Sequence, residues 1–88
     1  ERQRLSSALS RFKWLHLYPT QSNFILCKVD QVPASDLKAN LATRYGILVR
    51  YFNTPALQDH IRISVGRPQD SDALVAALQE LEHGQNFS

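Results

Sequence analysis

Ile47-Leu48-Val49-Arg50-Tyr51-Phe52-Asn53-Thr54-Pro55-Ala56-Leu57-Gln58-Asp59-His60-Ile61-Arg62-Ile63-Ser64-Val65-Gly66 is the stretch whose reading decides the fold. It reads as two short strands joined by a loop around Pro55, each strand carrying one arginine among β-branched and aromatic neighbours. Side chains on a strand alternate faces, so Ile61, Ile63 and Val65 point one way and Arg62 and Ser64 the other. In the first strand Ile47, Val49 and Tyr51 share a face, and Leu48, Arg50 and Phe52 share its opposite. If the Ile and Val faces build a core, both arginines emerge from the far side of the same sheet.

Two guanidinium groups on one face suit an anion. Each is planar, offers paired donors to a carboxylate or phosphate, and is aimed more firmly by a strand than by a loop. The plainer account is that each arginine belongs to the solvated face of a half-exposed sheet, or pairs with a nearby acid such as Asp59. Alternation favours that account for either arginine alone, and two on one face narrow the gap without closing it.

Working outward, Gly66-Arg67-Pro68 leads to a helix from Asp70 to Glu82, with Leu74, Leu78 and Leu81 beside Val75 and Ala77 on its apolar side. Asp70 and Asp72 fall in its first turns, where carboxylates favour the helix dipole. A polar tail, His83 to Ser88, is expected to fray. On the other side, Pro33 is expected in the first turn of a helix running to about Tyr45, with Leu37, Leu41 and Tyr45 on one stripe and Gly46 as its left-handed stop. Phe24 to Val29 reads as a central strand because of its near-continuous apolar run. Pro19 to Ser22 is a turn, Trp14 to Tyr18 a short strand, and Arg2 to Lys13 a helix with Leu5, Ala8, Leu9 and Phe12 at three- and four-residue spacings.

A chain of 88 residues suffices for one small domain with a modest core, here 1–83 followed by a tail at 84–88. Its 43% hydrophobic and 20% charged residues are those of an ordinary globular chain. A net charge of +2 is slight, with four of the ten basic residues at Arg2, Arg4, Arg11 and Lys13, so no dense nucleic-acid surface is expected. No apolar run approaches membrane-spanning length. Cys27 cannot form an internal disulfide and reads as a small buried hydrophobe. The chain contains no methionine, so it is expected to be a piece of something longer. His16, His60 and His83 lack metal-ligand or triad spacing and are given no role.

The order helix, strand, strand, helix, strand, strand, helix implies an α+β fold, a mainly antiparallel sheet with helices packed on one face. The other face, with Arg50 and Arg62, is left to solvent or a partner, most simply the rest of the parent chain.

Ser22-Asn23-Phe24-Ile25-Leu26, Gly46-Ile47-Leu48-Val49-Arg50, Ile61-Arg62-Ile63-Ser64-Val65-Gly66 and Asp72-Ala73-Leu74 together resemble the carboxy-terminal small domain of the histidinol-phosphate aminotransferases. The resemblance implies a fold-type I enzyme that uses pyridoxal 5'-phosphate in histidine biosynthesis. That enzyme passes an amino group between glutamate and imidazole-acetol phosphate and works as a homodimer in the cytoplasm, or in a plastid were the source a plant. It places Arg62 on the arginine that grips the substrate's anionic group, Arg50 on a second arginine associated with the phosphate, and Asn23 where the domain faces the cleft. The cofactor is then bound mainly by a large domain outside these residues. None of Lys13, Lys28 or Lys38 stands in the context of a Schiff-base lysine, so the chain alone is expected to be inactive. Relatives commonly carry a hydroxyl residue where Arg67 stands, which would cap the last helix; Arg67 cannot cap in that way.

Two other readings remain. The parent could be a related aminotransferase or a threonine-phosphate decarboxylase. From another class, the chain could be a free-standing protein- or RNA-binding module using Tyr18 and Phe52 on its open sheet face. That reading is disfavoured because the basic residues do not gather beside those aromatics.

Overall fold

The computed structural model describes residues 1–19 and 23–85. Its elements are α1 (Arg2–Leu9), β1 (Leu15–Leu17), β2 (Phe24–Val29), α2 (Ala34–Tyr45), β3 (Arg50–Tyr51), β4 (His60–Ser64) and α3 (Pro68–Gln85), in the expected order. The four strands form one antiparallel sheet in the order β1-β2-β4-β3. The strand with the longest apolar run, β2, lies inside the sheet, as that run implies.

Alternation sorts the strands cleanly. Leu15, Ile25, Cys27, Val29, Ile61 and Ile63 are buried against Leu5 and Leu9 of α1, Leu37 and Leu41 of α2, and Leu74, Ala77, Leu78 and Leu81 of α3. Full burial of each such aliphatic side chain stabilises the fold by roughly 1.5–3 kcal/mol. The helices therefore share one face of the sheet, and the alternate residues of the same strands line the other. The Cys27 thiol, wholly buried, is pushed up to about 12 by desolvation and behaves as a small apolar group.

Several boundaries differ from the expected ones. The first helix ends at Leu9 instead of Lys13, because its last turn tightens into bonds from Arg11 N–H to the Ala8 carbonyl and from Phe12 N–H to the Leu9 carbonyl. Phe12 is still buried, edge-on to Trp14, so its apolar spacing reported burial and not helix. Pro33 precedes α2 instead of sitting inside it: its ψ of 136° is extended, and its carbonyl accepts from the Asp36 and Leu37 N–H groups. Gly46 does end α2 in the left-handed region, at φ 66°, with its N–H donated to the Ala42 carbonyl.

The last helix starts at Pro68, two residues earlier than expected, and runs on to Gln85. The cap comes from within the helix. Arg67 supplies the first accepting carbonyl, and its own backbone N–H donates to Asp70 Oδ2 at 3.0 Å. This is the reciprocal half of a capping box, so the missing hydroxyl at Arg67 is offset by a carboxylate three residues on. That backbone bond, with the Arg67 guanidinium second, holds the Asp70 carboxyl below its usual range. Gly66 leaves the room: a Cβ there would lie 2.8 Å from Asp70 Oδ2. The expected turn at Pro19 to Ser22 falls mostly outside the described residues, as does the end of the tail after Gln85.

Candidate functional site

The uncovered face is built from rows of register partners. Tyr18, whose N–H donates to the Leu26 carbonyl, starts a row that continues through Leu26 and Arg62 to Arg50. The next row in the direction of the Val29 end is His16, Lys28 and His60, and on the other side Phe24 faces Ser64.

Arg50 and Arg62 are thus directly opposite one another on adjacent antiparallel strands. Like charges in that position repel and would by themselves destabilise the pairing. Among the described residues neither guanidinium has a hydrogen bond or an ion pair, so the expected alternative of an Asp59 partner is not what is found. Aromatic rings stand there instead. The Arg62 guanidinium carbon lies 4.8 Å from the centre of the Phe24 ring and 5.7 Å from that of Phe52. The Arg50 guanidinium carbon lies 5.6 Å from the same Phe52 ring. Arg62 Nε is buried without a hydrogen-bond partner, while Arg50 is exposed.

Asn23 sits at the entrance to β2, exposed, with its backbone carbonyl accepting from Val65 N–H. It adjoins Phe24 in sequence, yet no hydrogen bond joins its side chain to either arginine. The structure therefore brings together Arg50 and Arg62 and leaves Asn23 at the rim.

Phe24 and Phe52 were not singled out as partners of the arginines. Alternation puts Phe52 on the face of Arg50, and the apolar run marks Phe24 only as a strand residue. The premise that basic residues stand apart from the aromatics is overturned at Phe52, which has two guanidiniums beside it. Tyr18 is also engaged: its ring stacks on His60 at 5.5 Å, and its hydroxyl is 3.1 Å from His60 Nε2. His16 Nε2 is in hydrogen-bond contact with Asp30 Oδ2 on the neighbouring edge. Among the described residues no three His, Cys, Asp or Glu side chains gather as a metal site, and no helix is long and apolar enough to cross a membrane. A cavity of about 250 Å³ lies elsewhere, below Gly46 to Val49 and against Ser64, Ser71 and Leu74.

A face that offers paired, unneutralised guanidiniums over a helix-backed sheet can hold an anion and orient what is attached to it. Residues 1–78 match the family model for class I and II aminotransferases, and the chain belongs to that family. Within it, the chain is similar to histidinol-phosphate aminotransferases. It is 48% identical over 81 residues to that of Dehalococcoides mccartyi, covering 92% of this chain and 22% of the relative. It is 42% identical over 80 residues to the chloroplastic enzyme of Nicotiana tabacum, covering 90% and 19%.

The histidinol-phosphate aminotransferase of Sinorhizobium meliloti, solved with pyridoxal-5'-phosphate, superposes with a TM-score of 0.80 at 28% identity, over 96% of this chain and 23% of that one. The L-threonine-O-3-phosphate decarboxylase of Porphyromonas gingivalis superposes at 0.84 with 24% identity, over 92% and 26%, and shows the same fold. The chain spans about a fifth of the length of the curated relatives it matches.

Proposed function

We propose that this chain is the carboxy-terminal small domain of a pyridoxal-phosphate-dependent histidinol-phosphate aminotransferase. In that enzyme glutamate and imidazole-acetol phosphate give histidinol phosphate and 2-oxoglutarate, and the domain grips the anionic end of each substrate. The observation that carries the reading is the direct opposition of Arg50 and Arg62 on the uncovered face with no acid paired to either among the described residues. Such an arrangement costs energy when empty, and an anion seated on it removes the repulsion while satisfying charge-assisted donors. Fixing the far end of the substrate orients its reacting carbon, and such positioning removes several kcal/mol of a barrier, up to roughly 7–11 in ideal cases. Arg62 takes the anionic group of each substrate in turn, carboxylate or phosphate, Arg50 contributes to the phosphate, and Asn23 stands at the rim of the cleft.

The residues of this chain do not fit the cofactor itself. Pyridoxal phosphate needs a lysine and a carboxylate for its ring nitrogen, whereas Lys28, the one lysine among the described residues of the open face, lies in a row with His16 and His60. The acid on that edge, Asp30, is taken by His16. The cofactor is therefore assigned to the large domain of the same polypeptide, onto which the arginine face docks, in a homodimer. Without that domain these 88 residues are inactive.

A threonine-phosphate decarboxylase is the second reading, since its solved structure shares the fold and its substrate also carries a phosphate ester. The test is the intact enzyme with cofactor, offered histidinol phosphate with 2-oxoglutarate, and separately threonine phosphate. Formation of glutamate from the first pair is expected. Release of carbon dioxide from the second, with no glutamate from the first, overturns the assignment.

A further inference from the structure

We infer that Phe52 is a positioning residue that sets selectivity for a phosphate monoester over a carboxylate, by holding Arg50 beside Arg62. The inference rests on the anion-gripping role proposed above and adds to it the means by which one face distinguishes two anions.

The argument lies in how unequally the two guanidiniums are held. Arg62 is braced twice, by Phe24 at 4.8 Å and by Phe52 at 5.7 Å, and its Nε is buried. Arg50 is exposed and, among the described residues, has one brace, Phe52 at 5.6 Å. A guanidinium over an aromatic face within about 6 Å is attracted by the ring's negative quadrupole, and one ring within that reach of two cations attracts both. Phe52 thereby counters the repulsion that alternation builds into the Arg50 and Arg62 pair.

The two anions ask different things of that pair. A carboxylate has one negative charge and two oxygens in a plane, which a single guanidinium satisfies bidentately. A phosphate monoester at neutral pH carries close to two charges on three terminal oxygens, so it draws on a second guanidinium. Removing the Phe52 ring leaves Arg62 on Phe24 but releases Arg50 altogether. The loss therefore falls on the phosphate ester more than on glutamate.

The experiment compares Phe52→Ala, Phe52→Leu and Phe52→Tyr in the intact, cofactor-loaded enzyme, reading kcat/KM for histidinol phosphate and for glutamate. Ala and Leu are expected to lower the ratio of the two by about tenfold, mainly through KM for the phosphate ester, and Tyr to restore it to within about twofold. Leu matching the wild type would mean that the ring acts by bulk alone, and an equal fall for both substrates would mean general loss of structure; either result overturns the inference. If the wild-type enzyme consumes no phosphate ester, the reading of function fails instead. Inorganic phosphate titrated against the intact protein then decides this point: its dissociation constant must rise in Phe52→Ala and return in Phe52→Tyr, and an unchanged constant overturns it.

Discussion

Ile61 and Arg62 are adjacent in sequence and belong to opposite halves of the molecule. Ile61 is wholly buried, facing Cys27 and Tyr51 across the sheet and the helices beneath. Arg62 stands on the uncovered side, opposite Leu26 and Arg50, with aromatic rings for neighbours. One face is made of groups that gain by losing water, and the other holds charges that the sheet leaves uncompensated. The lesson is that one strand can serve stability and recognition at once, provided that the two tasks keep to alternate residues.

The sharpest way to break this division is Ile61→Ala, which opens a cavity in the buried face. It is expected to cost about 2–5 kcal/mol of unfolding free energy by denaturant titration. A loss below about 0.5 kcal/mol would mean that the face is not the core. Arg62→Lys tests the other face: stability should move by less than about 0.5 kcal/mol, while kcat/KM of the intact enzyme falls by about 10- to 100-fold, because an ammonium cannot reproduce the bidentate fork.

Cys27 sharpens the comparison from the inside. Burial raises its thiol from 9.0 to about 12. It should therefore ignore a thiol reagent at pH 8 in the native protein and react once the protein unfolds. The sign of the accompanying pH effect follows from the direction of that shift. The unfolded thiol ionises first, so this contribution to stability is intact below pH 9.0 and declines as pH rises from there toward about 12.

The smallest effect belongs to neither face. Asp70→Asn weakens the carboxylate cap on α3 and should lower the melting temperature slightly near neutral pH. Because the Asp70 pKa is lowered in the folded chain, its contribution is present above the ordinary carboxylate value and is lost as pH falls through the lowered one. Wild type and variant should therefore converge in acid. A difference that persists there would mean that the charge is not what caps the helix.

Order and type of every element were legible in the sequence, because apolar spacing and the Gly46 stop are local signals that the packed structure keeps. The opposition of Arg50 and Arg62 was half legible. Alternation put both on one face, but only pairing register makes them direct partners, and register is a property of two strands together. The rings on Arg62 were beyond reach for the same reason: Phe24 lies on a different strand, 38 positions away by its number. The early end of α1 was missed because Phe12 keeps a helical spacing while the backbone has already turned, and the Asp70 cap because its partner is a backbone N–H with no sequence signature of its own.

Side-chain contacts tie the early part of the chain to its last helix. Arg4 Nη1 reaches Asp72 Oδ1 at 3.0 Å and the indole N–H of Trp14 donates to Glu82 Oε2 at 2.7 Å, each spanning 68 positions. Leu5, Leu9 and Trp14 join the same buried cluster as Leu78 and Leu81. During synthesis the first helix therefore leaves the ribosome long before the surface that shelters it exists. The part of its apolar side that packs on α3 stays uncovered until that helix arrives, a delay of several seconds at roughly 5–20 residues per second, during which a chaperone has its best opportunity to bind.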